Sequence, residues 1–354
     1  MSRPQGPHRP FFPFGNPFRR ILPNGSNMSQ RLHSLLKSFE ESLALKLKNL
    51  IPESIDGFIS LSWFQKAIVT LSEIHGDTKE LITALEFPVS DWDEKWIDVY
   101  LDNSVKLLDI CTAFSSEITR INQSNLFLTC AFHYLDGVEE EKLPQACLSL
   151  QEWGPRISGQ NPRLGRCFDI LNRLTESLNL PKIKRSEKGK VLMRAMYGVR
   201  TATIFVCSVF AVSFSGCVEK LKELEISESC YLWADNYTHL QDLINKEIRK
   251  VYSSGNQGTA LRELEDVRVS VEKLCPLIRD GGGGSSMFRE ETLGLAVAVG
   301  RLSEGLDGLA KEVDGFFQIV LTGRDALLCN LRVGDENGSP TQGNTVNVER
   351  STSR

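Results

Sequence analysis

Between Thr201 and Val218 the chain reads TATIFVCSVFAVSFSGCV, with no charge until Glu219. That run is 218 − 201 + 1 = 18 residues, at the lower edge of the length that spans a bilayer as a helix. A cationic stretch precedes it, with Lys182, Lys184, Arg185, Lys188, Lys190, Arg194 and Arg200 against the single acid Glu187. An uncharged helix behind such an apron is either a membrane device or the central rod of a helical bundle. The candidate membrane segment is carried by Thr201, Ile204, Phe205, Val209, Phe210, Phe214 and Val218.

Energy alone does not separate the two. Eight residues of the run each favour insertion by about 0.3–0.6 kcal/mol at the bilayer centre, roughly 2–5 kcal/mol in all. Thr201, Thr203, Ser208, Ser213, Ser215 and Gly216 oppose it. Three placements stay open: a buried rod, a span with the basic side cytosolic, and a helix lying in the interface plane. The buried rod accounts more simply for the amphipathic helices on both sides. The seven cations are the candidate contact for an anionic leaflet, where each is worth about 1 kcal/mol; a solvated helix face is the alternative.

Helical periodicity dominates elsewhere. Leu32, Leu35, Leu36, Phe39, Leu43 and Leu47 step at threes and fours up to Pro52. Phe64, Ile68, Leu71, Ile82 and Leu85 mark a second helix, with a break expected at His75-Gly76. Asp91 and Glu94 form a capping box for a third, which carries Leu107, Cys111, Phe114, Ile118 and Ile121. A separate helix is expected near 125–135, then a shorter one through Trp153. Asn161-Pro162 opens another, and 187–216 forms the basic-apolar helix ending at Gly216. Two more amphipathic helices lead to a glycine-serine joint at 281–286.

The last helix, over 287–332, has two interleaved sevenfold repeats: Val299, Leu306, Val313, Val320, Leu327 and Leu295, Leu302, Leu309, Phe316. This seam predicts packing against the bundle, or else a homodimeric coiled coil. Gly300, Gly305, Gly308, Gly315 and Gly323 interrupt it, each costing about 1 kcal/mol relative to Ala. Close contact with a neighbour would offset that cost. No segment alternates long enough for a sheet. The expected fold is all-α: an elongated multi-helix bundle over 29–280 with one long apolar central helix, and a C-terminal heptad helix.

Residues 1–28 read as a proline-rich tail with no acid, and 333–354 as a second tail. Phe11, Phe12, Phe14 and Phe18 make the first one aromatic and suit docking into a groove, on this protein or another. A plastid transit role competes with that reading. A net charge of −4 argues against a nucleic-acid partner. The nine cysteines include no CxxC pair and read as free thiols in a reducing compartment. No P-loop, H-E-x-x-H or nucleophile-elbow pattern occurs, so no catalytic, metal or cofactor residue is assigned, and the expectation is a non-enzyme without cofactors; the alternative, an enzyme or binding protein for a small apolar signal precursor, would need an enclosed cavity lined by polar groups within the bundle.

Four blocks, FFPFGNPF (11–18), PVSDWDEKWIDVYLDNSVKLLDICTAFSSEITRIN (88–122), NLPKIKRSEKGKVLMRAMYGV (179–199) and TGRDALLCNLR (322–332), resemble the plant BYPASS family. The resemblance runs from about residue 1 to 332. It implies a protein required for normal root and shoot development, restraining a root-made mobile signal that arrests shoot growth. It carries over no active-site residue. Through distant relatives it implies partners of the exocyst membrane-traffic kind. It leaves the location open between the cytoplasmic side of a membrane and a plastid.

Overall fold

The computed structural model describes residues 29–52, 59–86, 94–136, 140–159, 161–178, 186–226, 231–253, 260–281 and 285–336. Phe11, Phe12, Phe14, Phe18 and Asp91 lie outside these residues, as do Lys182, Lys184 and Arg185. Nine α-helices and two short 3-10 turns occur among the described residues, and no strand. The helices are α1 (Gln30–Asn49), α2 (Leu61–Leu85), α3 (Glu94–Leu135), α4 (Leu143–Ser158), α5 (Pro162–Glu176), α6 (Glu187–Ser215), α7 (Ala234–Ser253), α8 (Arg262–Arg279) and α9 (Ser286–Glu336).

Local signals set most of the ends. Ser29, Ser60, Asn161 and Ser186 cap α1, α2, α5 and α6, each side-chain oxygen accepting from a backbone N–H of the first turn. Ser285 does the same for α9 through the N–H of Phe288. Gly216 ends α6 at φ 77°, a left-handed conformation that costs glycine no Cβ clash. The helix thus ends where expected, and Val218 of the candidate membrane segment falls beyond it, in the 3-10 turn Val218–Lys220.

Two expected interruptions are absent. α2 runs unbroken through His75 and Gly76, and 125–135 is the end of α3 rather than a separate helix. The polar run Asn122-Gln123-Ser124-Asn125 is absorbed by one bond within α3 and one to α4. Ser124 donates to the Arg120 carbonyl, and Asn125 accepts from the Trp153 indole of α4 at 3.3 Å. α9 also continues past residue 332, to Glu336.

α6 is the centre, packed by α1, α2, α3, α5 and α7, while α9 lies over α2, α3 and α8. Leu295, Leu302, Leu306, Leu309, Val313, Phe316, Val320 and Leu327 of the heptad seam are buried inside the chain, so the seam is spent on the bundle and not left for a dimeric coil. Beneath it the α6 aromatics form a stack. Phe210 lies 3.7 Å from Phe114 and 4.2 Å from Phe214 between ring centroids, with Phe64 edge-on at 5.3 Å.

The α9 glycines divide into two kinds. A Cβ on Gly305 would stand 2.7 Å from Cδ1 and 3.0 Å from Cβ of Leu61, and one on Gly308 would meet Gln65 at 2.7 Å. Gly323 is close to the Tyr100 hydroxyl in the same sense, at 2.9 Å. These three allow close helix approach. Gly300 and Gly315 are exposed and face open space, so contact does not explain them. Gly300→Ala and Gly315→Ala should each raise stability by about 1 kcal/mol, whereas Gly305→Ala should lower it. Urea unfolding of the three variants checks this; a stabilised Gly305→Ala would contradict the close packing of α9 on α2.

Candidate functional site

Of the seven cations assigned to a lipid surface, four are described, and they separate by helix face. Lys188 donates to the Glu86 carbonyl at 2.7 Å, closing the C-terminal end of α2, and Lys190 pairs with Glu187 at 2.6 Å. The other two are turned inward. Arg194 pairs with Glu40 of α1 through Nε at 2.5 Å and Nη2 at 3.0 Å, and lies over the Tyr231 ring at 4.9 Å. Arg200 is 6% exposed. Arg194 and Arg200 therefore leave the surface assignment. On a helix buried on nearly all sides, a cation set back from the half-buried first turn has only the core to enter.

The apolar run is likewise enclosed. Thr201, Ile204, Phe205, Val209, Phe210 and Phe214 are all buried, and the most apolar window of α6 is 94% buried within the chain. Some of its polar positions are used by neighbouring protein. The Ser208 hydroxyl accepts from the Lys222 N–H at 2.9 Å, and the Ser213 carbonyl accepts from the Ala260 N–H at 2.9 Å. Thr201 and Thr203 donate to the carbonyls of Tyr197 and Val199. The Ser208 hydroxyl, which weakens the case for a lipid-facing helix, thus serves as an anchor point in the bundle, whereas the Ser213 hydroxyl is buried without a partner.

Where α2, α3, α5, α6 and α9 meet, they enclose a cavity of about 250 Å³. Its apolar wall includes Leu107, Leu174, Met196, Val199, Ile319 and Val320. Its polar groups include His75, Tyr100, Asn103, Arg200 and Thr203. Gly76 also lines it and has open space where a Cβ would stand, so the glycine that suggested a helix break instead leaves room. Ile319 and Lys79 line it too and are exposed, so the cavity reaches the surface between α2 and α9.

The electrostatics there are one-sided. Arg200 donates from Nη2 to the Ser177 hydroxyl at 2.6 Å and the Leu174 carbonyl at 3.3 Å, but its Nε and Nη1 have no partner. Burial lowers its pKa to about 10, so it stays cationic at neutral pH. The Asn103 amide nitrogen is also unpartnered, in a side chain 8% exposed. His75 and the Thr203 hydroxyl are 3.2 Å apart. Since the Thr203 hydrogen goes to the Val199 carbonyl, His75 is the donor through Nε2. Desolvation lowers the His75 pKa to about 4, leaving the ring neutral. No Asp or Glu lines the cavity.

The cysteines behave as small hydrophobes. Cys111, Cys167 and Cys207 are buried where α3, α5 and α6 meet, and burial pushes the first two thiols up to about 12. No disulfide and no cluster of metal-ligating side chains occurs among the described residues.

Comparison with known proteins adds the lineage. A family model described as "Protein ROH1-like" matches residues 18–143. The chain is 46% identical over 332 residues to "Protein BPS1, chloroplastic" of Arabidopsis thaliana, covering 94% of this chain and 93% of that protein. The chain belongs to the BYPASS family. A second relative, "UPF0496 protein 4" of Oryza sativa subsp. indica, is 42% identical over 320 residues, covering 89% of this chain and 69% of that protein. The japonica form matches to the same extent. No solved structure matches the chain.

The sequence reading of this BYPASS protein missed Glu40 and the cavity group His75, Asn103 and Arg200. One signal was present for Glu40: it lies at helical spacing from Leu36, Leu43 and Leu47, on the buried stripe of α1. Arg200 had a fainter one, a lone cation at the mouth of an uncharged run.

Proposed function

We propose that this BYPASS protein is a non-enzymatic helical scaffold acting in root and shoot development, restraining a root-derived mobile signal from the cytoplasmic face of a membrane. The observation that carries the reading is its 46% identity to a BYPASS protein across 94% of the chain. An enclosed core centred on α6 agrees with a molecule that works by holding others. Its partners in this reading are membrane-traffic proteins of the exocyst kind and an anionic leaflet. The leaflet contact falls to Lys182, Lys184, Arg185 and Lys188, on the sequence leading into α6 and its first turn.

Sedimentation of the full chain with vesicles containing phosphatidylserine tests the lipid part. Replacing those four cations by Gln should weaken vesicle binding by tenfold or more at low salt, each near-surface cation being worth about 1 kcal/mol. Unchanged binding would remove the membrane-surface assignment. In the same material, alkaline carbonate should release the protein to the supernatant; retention in the pellet would restore a spanning α6.

A plastid location is the second reading. It is favoured by the word "chloroplastic" in the name of the Arabidopsis relative and by an N-terminus whose first acid is Glu40.

A further inference from the structure

We infer that the cavity bounded by α2, α3, α5, α6 and α9 is a binding site for a small organic monoacid, its carboxylate held at Arg200 and Asn103 and its apolar body against Leu107, Met196 and Val320. This assignment goes beyond the scaffold reading and does not depend on it.

The argument starts from what is unsatisfied. A buried guanidinium with two nitrogens unpartnered is among the costliest arrangements in a folded core, and a nearby unpartnered amide adds to it. Arg200 has no carboxylate of the described residues within ion-pair distance. Asp102 acts on it only from farther off and is itself paired with Lys106 at 2.6 Å. The neighbouring His75 is neutral, so it adds no second positive charge. Lys79 lines the cavity as well, but it is exposed. The site therefore presents one desolvated cation and one amide donor, which suits a single carboxylate better than a dianion.

Size and lining settle the rest of the ligand. An engineered apolar cavity of about 150 Å³ accommodates benzene; here about 250 Å³ leaves room for a short alkyl chain or one ring plus a carboxylate. Leu107, Met196, Val199 and Val320 offer dispersion contacts but no hydrogen bonds, so a purely polar acid such as sulfate would leave most of the wall unused. The exposed Ile319 marks a way in.

Isothermal titration of the full chain with hexanoate and with benzoate, using hexanamide and benzamide as uncharged counterparts, tests the site. The expected result is saturable binding of an acid with its amide at least tenfold weaker. Ile319→Trp, which fills the cavity from its exposed wall, should abolish binding, and Asn103→Leu should weaken it severalfold. Arg200→Gln should erase the preference for acid over amide. If that variant does not fold, the other two still decide. Failure of both acids to saturate would mean a water-filled cavity and would overturn the proposal. Equal binding of acids and amides would overturn it too, as would an Ile319→Trp protein that binds normally.

Discussion

Phe210→Ala will lower the free energy of unfolding by about 3–5 kcal/mol, with a lower urea midpoint and little change in slope. Phe210 is fully buried in the C-terminal part of α6. Its ring is stacked between Phe114 of α3 and Phe214 one turn along its own helix, with Phe64 of α2 edge-on. Truncation removes the transfer free energy of the ring and opens a void lined by three other aromatics. Those neighbours belong to three different helices, so collapse into the void would require several helices to shift together. Phe210→Leu, which keeps much of the volume, should cost less than half as much. A loss under 1 kcal/mol for the alanine variant would mean that α6 is not the packed centre of the molecule.

The second large effect is expected at Glu40. Its side chain is 2% exposed and accepts from Arg194 Nε, Arg194 Nη2 and the Leu232 N–H, the last at 3.2 Å. One carboxylate thus ties α1, α6 and the segment leading into α7. Glu40→Ala should cost about 3–5 kcal/mol, because it leaves a desolvated guanidinium without its counter-ion. Adding Arg194→Met should recover much of the loss, since a buried ion pair often contributes little net stability compared with an apolar pair of similar size. Lys190→Ala, breaking the more exposed pair with Glu187, should cost under about 0.5 kcal/mol. A double variant no better than Glu40→Ala alone would show that Glu40 acts chiefly through Leu232. The contrast also separates the two halves of the basic stretch: Arg194 is tied into the fold through Glu40, whereas the cations nearer the start of α6 are the ones to which the proposed membrane contact falls.

The elements that were legible share a feature: their signals are local. Gly216 ends α6, Asn161-Pro162 opens α5, and the sevenfold spacing of Leu295 through Leu327 marks the packed face of α9. Each depends on a side chain meeting backbone within a turn, or on periodicity along one helix. The misread points all depend on a distant partner. The junction at Asn122–Asn125 looked like a break because four polar residues adjoin, but Trp153, 28 positions from Asn125, supplies a hydrogen bond across the helix pair. His75-Gly76 looked like a break because of its glycine, although His75 bonds Thr203 and its ring lies 5.2 Å from that of Phe316. Charge counted along the chain assigned Arg194 and Arg200 to a surface, because charge carries no record of the face from which it projects.

By itself the sequence determined that this protein is all-α, where most helices begin and end, and that it belongs to the BYPASS lineage. Those properties follow from local capping, hydrophobic spacing and shared residue blocks. Only the tertiary structure showed that the uncharged helix is buried inside the bundle, that its two inner arginines project into the interior, and that a cavity with an unpaired cation lies beside it. The physical reason is that apolar surface is equally satisfied by lipid or by protein, whereas a hydrogen bond such as Lys222 N–H to Ser208, deep in α6, can form only where the rest of the chain has folded around the helix.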